Sequence, residues 1–147
     1  MPTFYDYLRA PSPRRARILL AEKGIAHDVQ IVDLAAGEQL SDAFRAVNPA
    51  CTVPALALED GAVLTDNAAI AAWAEAAHPE PPLLGRTSLE KAAVASWNAK
   101  IEGECMMAIA EAMRNAAPAM IAQASPASSA STAAPVPSLR LVEWLSA

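Results

Sequence analysis

Three places in the chain carry side chains suited to handling a small charged molecule. Ser12, just ahead of Pro13, offers a hydroxyl at the expected start of a helix. Thr52-Val53-Pro54 opens a short apolar strand ahead of an Asp60-Gly61 turn. Asp66-Asn67 sets a carboxylate beside a primary amide at the start of an alanine-rich helix. Asp can accept from an ammonium, Asn can donate from its amide, and a helix N-terminus favours an anion. Plain capping is the structural alternative, for Ser12 as for Asp66 and Asn67. The other reactive types lack partners. Cys51 and Cys105 match no redox or zinc spacing, and no base stands by Cys51. His27 and His78 have no spacing for a metal site or a triad, so no metal is expected.

The elements that must position these groups can be read from pattern. Thr3 to Tyr7 is rich in strand-favouring residues. A helix from Ser12, as N-cap, runs through Ile18, Leu19 and Leu20 and should stop at Gly24. Val29 to Val32 forms a second strand, which makes a parallel βαβ unit. Ser41 caps a short helix through Val47. Pro54 to Leu58 and Ala62 to Leu64 flank Glu59-Asp60-Gly61, a hairpin signal. Asp66 to His78 is helical, with Ile70, Trp73 and Ala77 at helical spacing. The resulting α/β order, βαβ-α-ββα, is thioredoxin-like. Pro79 to Gly85 reads as a linker and Thr87-x-x-Glu90 as a capping box. A long helix should follow, with Val94, Trp97, Ile101, Cys105 and Ala108 on one stripe.

Three regions are therefore expected. Residues 1–80 form the thioredoxin-like domain. Residues 81–117 form a linker and the first helix of an incomplete all-α region. Residues 118–147 form an Ala/Ser/Pro tail with a short apolar end around Trp144, expected to be disordered because it cannot bury enough area to offset its ordering entropy. A net charge of −5 over 147 residues argues against a nucleic-acid partner, and Arg14-Arg15-x-Arg17 is only a local basic cluster. No apolar run is long enough to span a bilayer. Met1-Pro2-Thr3 leads straight into a strand, without a signal peptide. A cytoplasmic protein with free thiols is the expectation.

The stretch Pro13-Arg14-Arg15-Ala16-Arg17-Ile18-Leu19-Leu20-Ala21-Glu22-Lys23-Gly24-Ile25 resembles the first helix of bacterial glutathione transferases. The resemblance continues through Gly37-Glu38-Gln39, Phe44, Val47-Asn48-Pro49, Thr52-Val53-Pro54 and Pro81-Pro82-Leu83-Leu84-Gly85-Arg86, and covers residues 3 to about 108. It implies a cis Val53-Pro54 peptide whose preceding backbone pairs with the cysteinyl part of glutathione. It implies that Asp66 receives the γ-glutamyl ammonium and Asn67 the γ-glutamyl carboxylate. Gln39 would help to hold the glycyl carboxylate, or be a solvated loop residue. Thr52 completes the set of glutathione contacts.

Two departures stand out. The usual catalytic serine position holds Ala10, whereas Ser12 falls where thiol-type members carry cysteine. Ser12 could donate to the sulfur or merely cap its helix; Tyr5 and Tyr7 lie in the first strand, where either could be core, and Tyr7 is a backup hydroxyl. The family's C-terminal helical domain needs on the order of a hundred residues, and about sixty follow Gly85. That shortfall, with the tail's composition, reads as truncation or a scrambled C-terminal half. Two functions follow as expectations. One is a glutathione transferase, with glutathione as co-substrate, a small electrophile as second substrate, and a homodimeric assembly. The other is a non-catalytic thioredoxin-fold binding module or inactive remnant. A thiol-disulfide oxidoreductase is a weaker third, because no Cys-x-x-Cys is present.

Overall fold

A computed structural model describes residues 1–116. The expected tail, residues 118–147, lies outside the described residues. The chain divides into two compact units, Met1–Gly103 and Glu104–Ala147. The first begins with β1 (Thr3–Asp6), α1 (Pro11–Glu22), β2 (Asp28–Ile31), a 3-10 turn (Glu38–Leu40) and α2 (Asp42–Val47). It continues with β3 (Ala55–Ala57), β4 (Val63–Leu64), α3 (Asn67–Ala77) and α4 (Ser88–Lys100). The sheet order is β2-β1-β3-β4. β1 pairs parallel with β2 and antiparallel with β3, and β3 pairs antiparallel with β4. The α/β, thioredoxin-like order expected from pattern is the order found.

Alternation along β1 divides the core. Phe4 points to one face, where it packs with Ala16 and Leu20 of α1, Ile25, Leu56 of β3, and Ile70 and Ala74 of α3. Each helix presents its buried residues four apart, which is one face of a helix. Tyr5 points to the other face, toward Val32, Phe44 and Val53, and its ring meets Phe44 edge-on at 5.7 Å. Tyr7 packs on this second cluster too. Phe4, Leu20, Leu56 and Ile70 have no exposed surface, so truncating Leu20 to Ala should cost about 2–5 kcal/mol.

Several boundaries differ from expectation. The first helix starts at Pro11, with Ala10 as N-cap, so Ser12 is not the cap. Two prolines fit in that first turn because its N–H groups have no intrahelical acceptor. β2 sits one residue earlier than read, and Val32 donates to the Asp6 carbonyl just beyond the strand. The long helix after Thr87 is interrupted. A π-helical stretch, Ile101–Met106, follows α4, and α5 (Met107–Ala116) comes next. Gly103 lies within that stretch, where its low helix propensity favours a departure from regular winding. α4 buries none of its side chains, and Trp97 is 64% exposed with Lys100 over its ring at 5.3 Å.

The capping box of α4 forms as read: Glu90 N–H donates to the Thr87 hydroxyl and the Glu90 carboxylate accepts from Thr87 N–H. Gly85 prepares this turn. Its φ is +96°, and a Cβ there would lie 2.8 Å from the backbone of Glu90 and Lys91, so only glycine fits.

Candidate functional site

The topology alone gathers the candidates. β1, β2 and β4 run in one direction and β3 against them. The C-terminal ends of β1, β2 and β4 therefore share a sheet end with the N-terminal end of β3. α1 follows β1, Gln39 follows β2, Thr52-Val53-Pro54 precedes β3, and Asp66-Asn67 follows β4. Residues 12, 39, 52–54 and 66–67 are thus all placed at one end of the sheet.

Ser12 and Asn67 meet directly. Asn67 Nδ2 donates to Ser12 Oγ at 3.0 Å and to the Ser12 carbonyl at 3.2 Å. The carbonyl can only accept, which fixes which end of the amide faces α1. Asn67 Oδ1 is buried without a protein partner. The amide N–H groups expected to face a ligand carboxylate are therefore turned toward Ser12. Asp66 is the N-cap of α3, accepting from Ala69 N–H at 2.7 Å through Oδ1. The capping role is present; the side chain is exposed, and its other oxygen remains available.

The Val53-Pro54 peptide is cis, as the resemblance implied. Val53 takes part in none of the turn and loop backbone hydrogen bonds among the described residues. The loop before it is braced by Asn48, which is 1% exposed. Asn48 Nδ2 donates to the Thr52 carbonyl at 2.7 Å and to the Thr52 hydroxyl at 3.2 Å, while Oδ1 accepts from Ala50 N–H at 3.0 Å. This bracing carries Cys51 through a left-handed conformation, with φ +56°. In the sequence, Asn48 figured only within the Val47-Asn48-Pro49 resemblance, with no role for its side chain. Its signal was the Asn-Pro step itself, since an Asn there can bond the backbone two residues on.

Gln39 is 8% exposed, with Oε1 buried and unpartnered, so the solvated-loop alternative does not hold. Its place in a 3-10 turn after a left-handed Gly37 turns it inward. Asp6, at the end of β1, was also missed. Its carboxylate is 1% exposed and pairs through Oδ2 with Arg17 of α1 at 2.8 Å, while Oδ1 has no partner. Tyr5 and Tyr7 both pack on the second cluster, with Val32, Phe44 and Val53, which fits the core alternative for each. His27 Nδ1 lies 2.8 Å from the Ile25 carbonyl, and His78 stacks edge-on against Trp73. No cluster of metal-ligating groups occurs among the described residues.

A groove of about 270 Å³ adjoins Asn67. Its wall includes Ile18 and Leu19 of α1, Ala71 of α3, Leu83 and Val94. Arg15 and Glu22 of α1 and Asn98 of α4 add polar groups to this mainly apolar lining.

Known proteins carry the same pattern. Residues 10–77 match the family described as glutathione S-transferase, N-terminal domain. Glutathione S-transferase 2 of Saccharomyces cerevisiae is 36% identical over 118 residues, covering 79% of this chain and 51% of that protein. Maleylacetoacetate isomerase of Pseudomonas aeruginosa is 38% identical over 90 residues, covering 60% and 42%. The crystal structure of a glutathione transferase homologue from Sulfitobacter, with bound glutathione, has a TM-score of 0.69 at 28% identity, covering 79% of this chain and 55% of that one. The fold and the gathered sheet end define a glutathione-transferase-type N-terminal domain. Through that domain the chain belongs to the glutathione S-transferase family. It spans about half, or less, of the length of the curated relatives it matches. Among the described residues, no helix is long and apolar enough to cross a membrane.

Proposed function

We propose that the sheet end bearing Ser12 binds glutathione and delivers its thiolate to a small electrophile. The observation that carries this reading is the convergence of Ser12, Gln39, Val53 and Asp66-Asn67, with three buried polar atoms left without partners there. Buried polar atoms without partners are rare and concentrate where a site does work. The glutathione bound in the Sulfitobacter homologue supports the same ligand.

In this reading the backbone of Val53 pairs with the cysteinyl residue, adding it like a strand beside β3. Asp66 takes the γ-glutamyl ammonium, and the α3 N-terminus, at Asn67, faces the carboxylate. Gln39 and Thr52 border the rest of the peptide. The Ser12 O–H donates to the sulfur, which favours thiolate over a thiol of pKa about 8.5. The thiol proton passes to solvent. The sulfur lone pair then forms a bond to the electrophilic carbon, and the displaced pair leaves with the departing group. The electrophile's apolar body fits the groove beside Ile18, Leu19 and Val94. A cytoplasmic location accords with the free thiols of Cys51 and Cys105. A homodimer accords with the exposed Leu89 and Trp97 of α4.

Thermal unfolding against increasing glutathione tests the binding. The midpoint should rise with ligand, and the rise should disappear in Asp66→Ala plus Asn67→Ala. A midpoint that ignores glutathione removes the function and leaves the fold. In that event the non-catalytic module leads, a reading favoured by Ala10, which brings no hydroxyl to the start of α1.

A further inference from the structure

We infer that Asn67 is the positioning residue that aims the Ser12 hydroxyl, rather than a direct contact for the ligand carboxylate. This rests on the glutathione reading and assigns a specific role within that site. The two residues are 55 apart in sequence, at the first turns of α1 and α3. The Asn67 amide grips Ser12 twice, at Oγ and at the backbone carbonyl. A hydroxyl has one proton to give and lone pairs to receive. When Oγ receives the amide N–H, its own proton must point away from Asn67. Among the described residues the Ser12 hydroxyl donates to no protein acceptor. The proton is thus kept for a group arriving from outside, and the carbonyl contact fixes the turn of helix that carries it.

The amide is suited to this task as neither neighbour in type would be. An Asp carboxylate at 67 could only accept, so it would draw the Ser12 proton toward itself and would face the Ser12 carbonyl in repulsion. A Leu of similar size would leave the hydroxyl free to rotate. The buried Oδ1 without a partner is the cost of holding the amide this way round. Flipping the amide would lose the contact with the Ser12 carbonyl and would draw the Ser12 proton inward onto Oδ1, away from an arriving group.

The test is the pH profile of glutathione conjugation to a chlorodinitrobenzene, with glutathione affinity measured in parallel. Asn67→Asp and Asn67→Leu should each move the midpoint for thiol ionisation up, by about one pH unit for Asp. Affinity in Asn67→Leu should change by less than about threefold, since a hydrogen bond not made to the ligand is not lost, whereas Asn67→Asp should also weaken binding by setting a charge near the γ-glutamyl carboxylate. In a Ser12→Ala background the Asn67 substitutions should leave the midpoint where Ser12→Ala alone puts it. An unchanged midpoint in both Asn67 variants overturns the inference. So does an equal shift with or without the Ser12 hydroxyl, which would mark a bare charge effect. If only one variant folds, it gives the same two comparisons. If the unaltered protein neither binds glutathione nor shows a lowered thiol midpoint, the functional reading falls and takes this inference with it. A lowered midpoint that Asn67 does not control overturns the inference alone.

Discussion

The two ends of the sheet treat buried polar groups in opposite ways. At the end away from Ser12, the Lys23 side chain is fully buried and pairs with the Glu75 carboxylate. Its Nζ also donates to the His78 carbonyl at 2.8 Å and the Pro81 carbonyl at 2.6 Å, which uses all three of its donors. The two Glu75 oxygens accept from Leu83 and Leu84 N–H, each at 3.1 Å. Everything there is paired. At the Ser12 end, Asp6 Oδ1, Gln39 Oε1 and Asn67 Oδ1 are buried and unpaired, at a cost of about 1–3 kcal/mol each. One fold thus spends its hydrogen bonds fully where it only needs to hold α1, α3 and the following linker together. It leaves them incomplete at the end where we propose that glutathione binds.

The largest expected effect breaks the closed end. Lys23→Ala leaves the Glu75 carboxylate and two carbonyls without their cation, and removing one partner of a buried pair costs about 3–5 kcal/mol. Ser12→Ala at the open end should cost less than about 1 kcal/mol, because it removes a single half-buried contact. Urea unfolding of the two variants checks the contrast. Equal losses would mean that the open end is as structural as the closed one.

Asn48→Ala probes the boundary between the two kinds of region. Its side chain makes three contacts that set the loop before Val53, two of them to Thr52, which borders the proposed ligand. We expect a loss of about 2–3 kcal/mol in stability together with weaker glutathione binding, as the Val53 backbone loses its brace. Isothermal titration of the folded variant separates the two effects. Full affinity at reduced stability would show that Val53 holds its place without Asn48.

The sequence made the ordered pieces legible because they rest on local signals. The alternation in β1, the Asp60-Gly61 turn, the Thr87-Glu90 box and the Val53-Pro54 step all act over a few residues. Pattern and resemblance together named the residues that the topology gathers. What could not be read was long-range. Ser12 looked like a cap because its true partner, Asn67, is 55 positions away. Gln39 looked exposed as readily as buried, because a 3-10 turn has too short a period to show its facing. Lys23 and Asp6 gave no local signal of burial, since only the folded chain brings Glu75 and Arg17 to them.

The smallest expected effect sharpens the contrast through pH. Burial alone would raise the Glu75 carboxyl, but the hydrogen bond from Lys23, the N–H groups of Leu84 and Leu83 and the charge on Lys23 outweigh it, and the group sits below the usual carboxylate range. The unfolded chain then binds more protons than the folded one in the acid window, so stability rises with pH there. The contribution is complete above the unfolded value, about 4.3 for Glu, and is lost as pH falls through the lower folded value. Glu90, held down first by the Thr87 N–H and then by that of Arg86, acts with the same sign from an exposed position. Unfolding by urea at neutral and acid pH, in a Glu90→Gln background, isolates Glu75. Adding Glu75→Gln should lower stability at neutral pH and flatten the remaining acid slope. An undiminished slope would show that the closed end does not depend on that carboxylate's charge, and the difference between the two ends would then rest on Lys23 and its carbonyl partners alone.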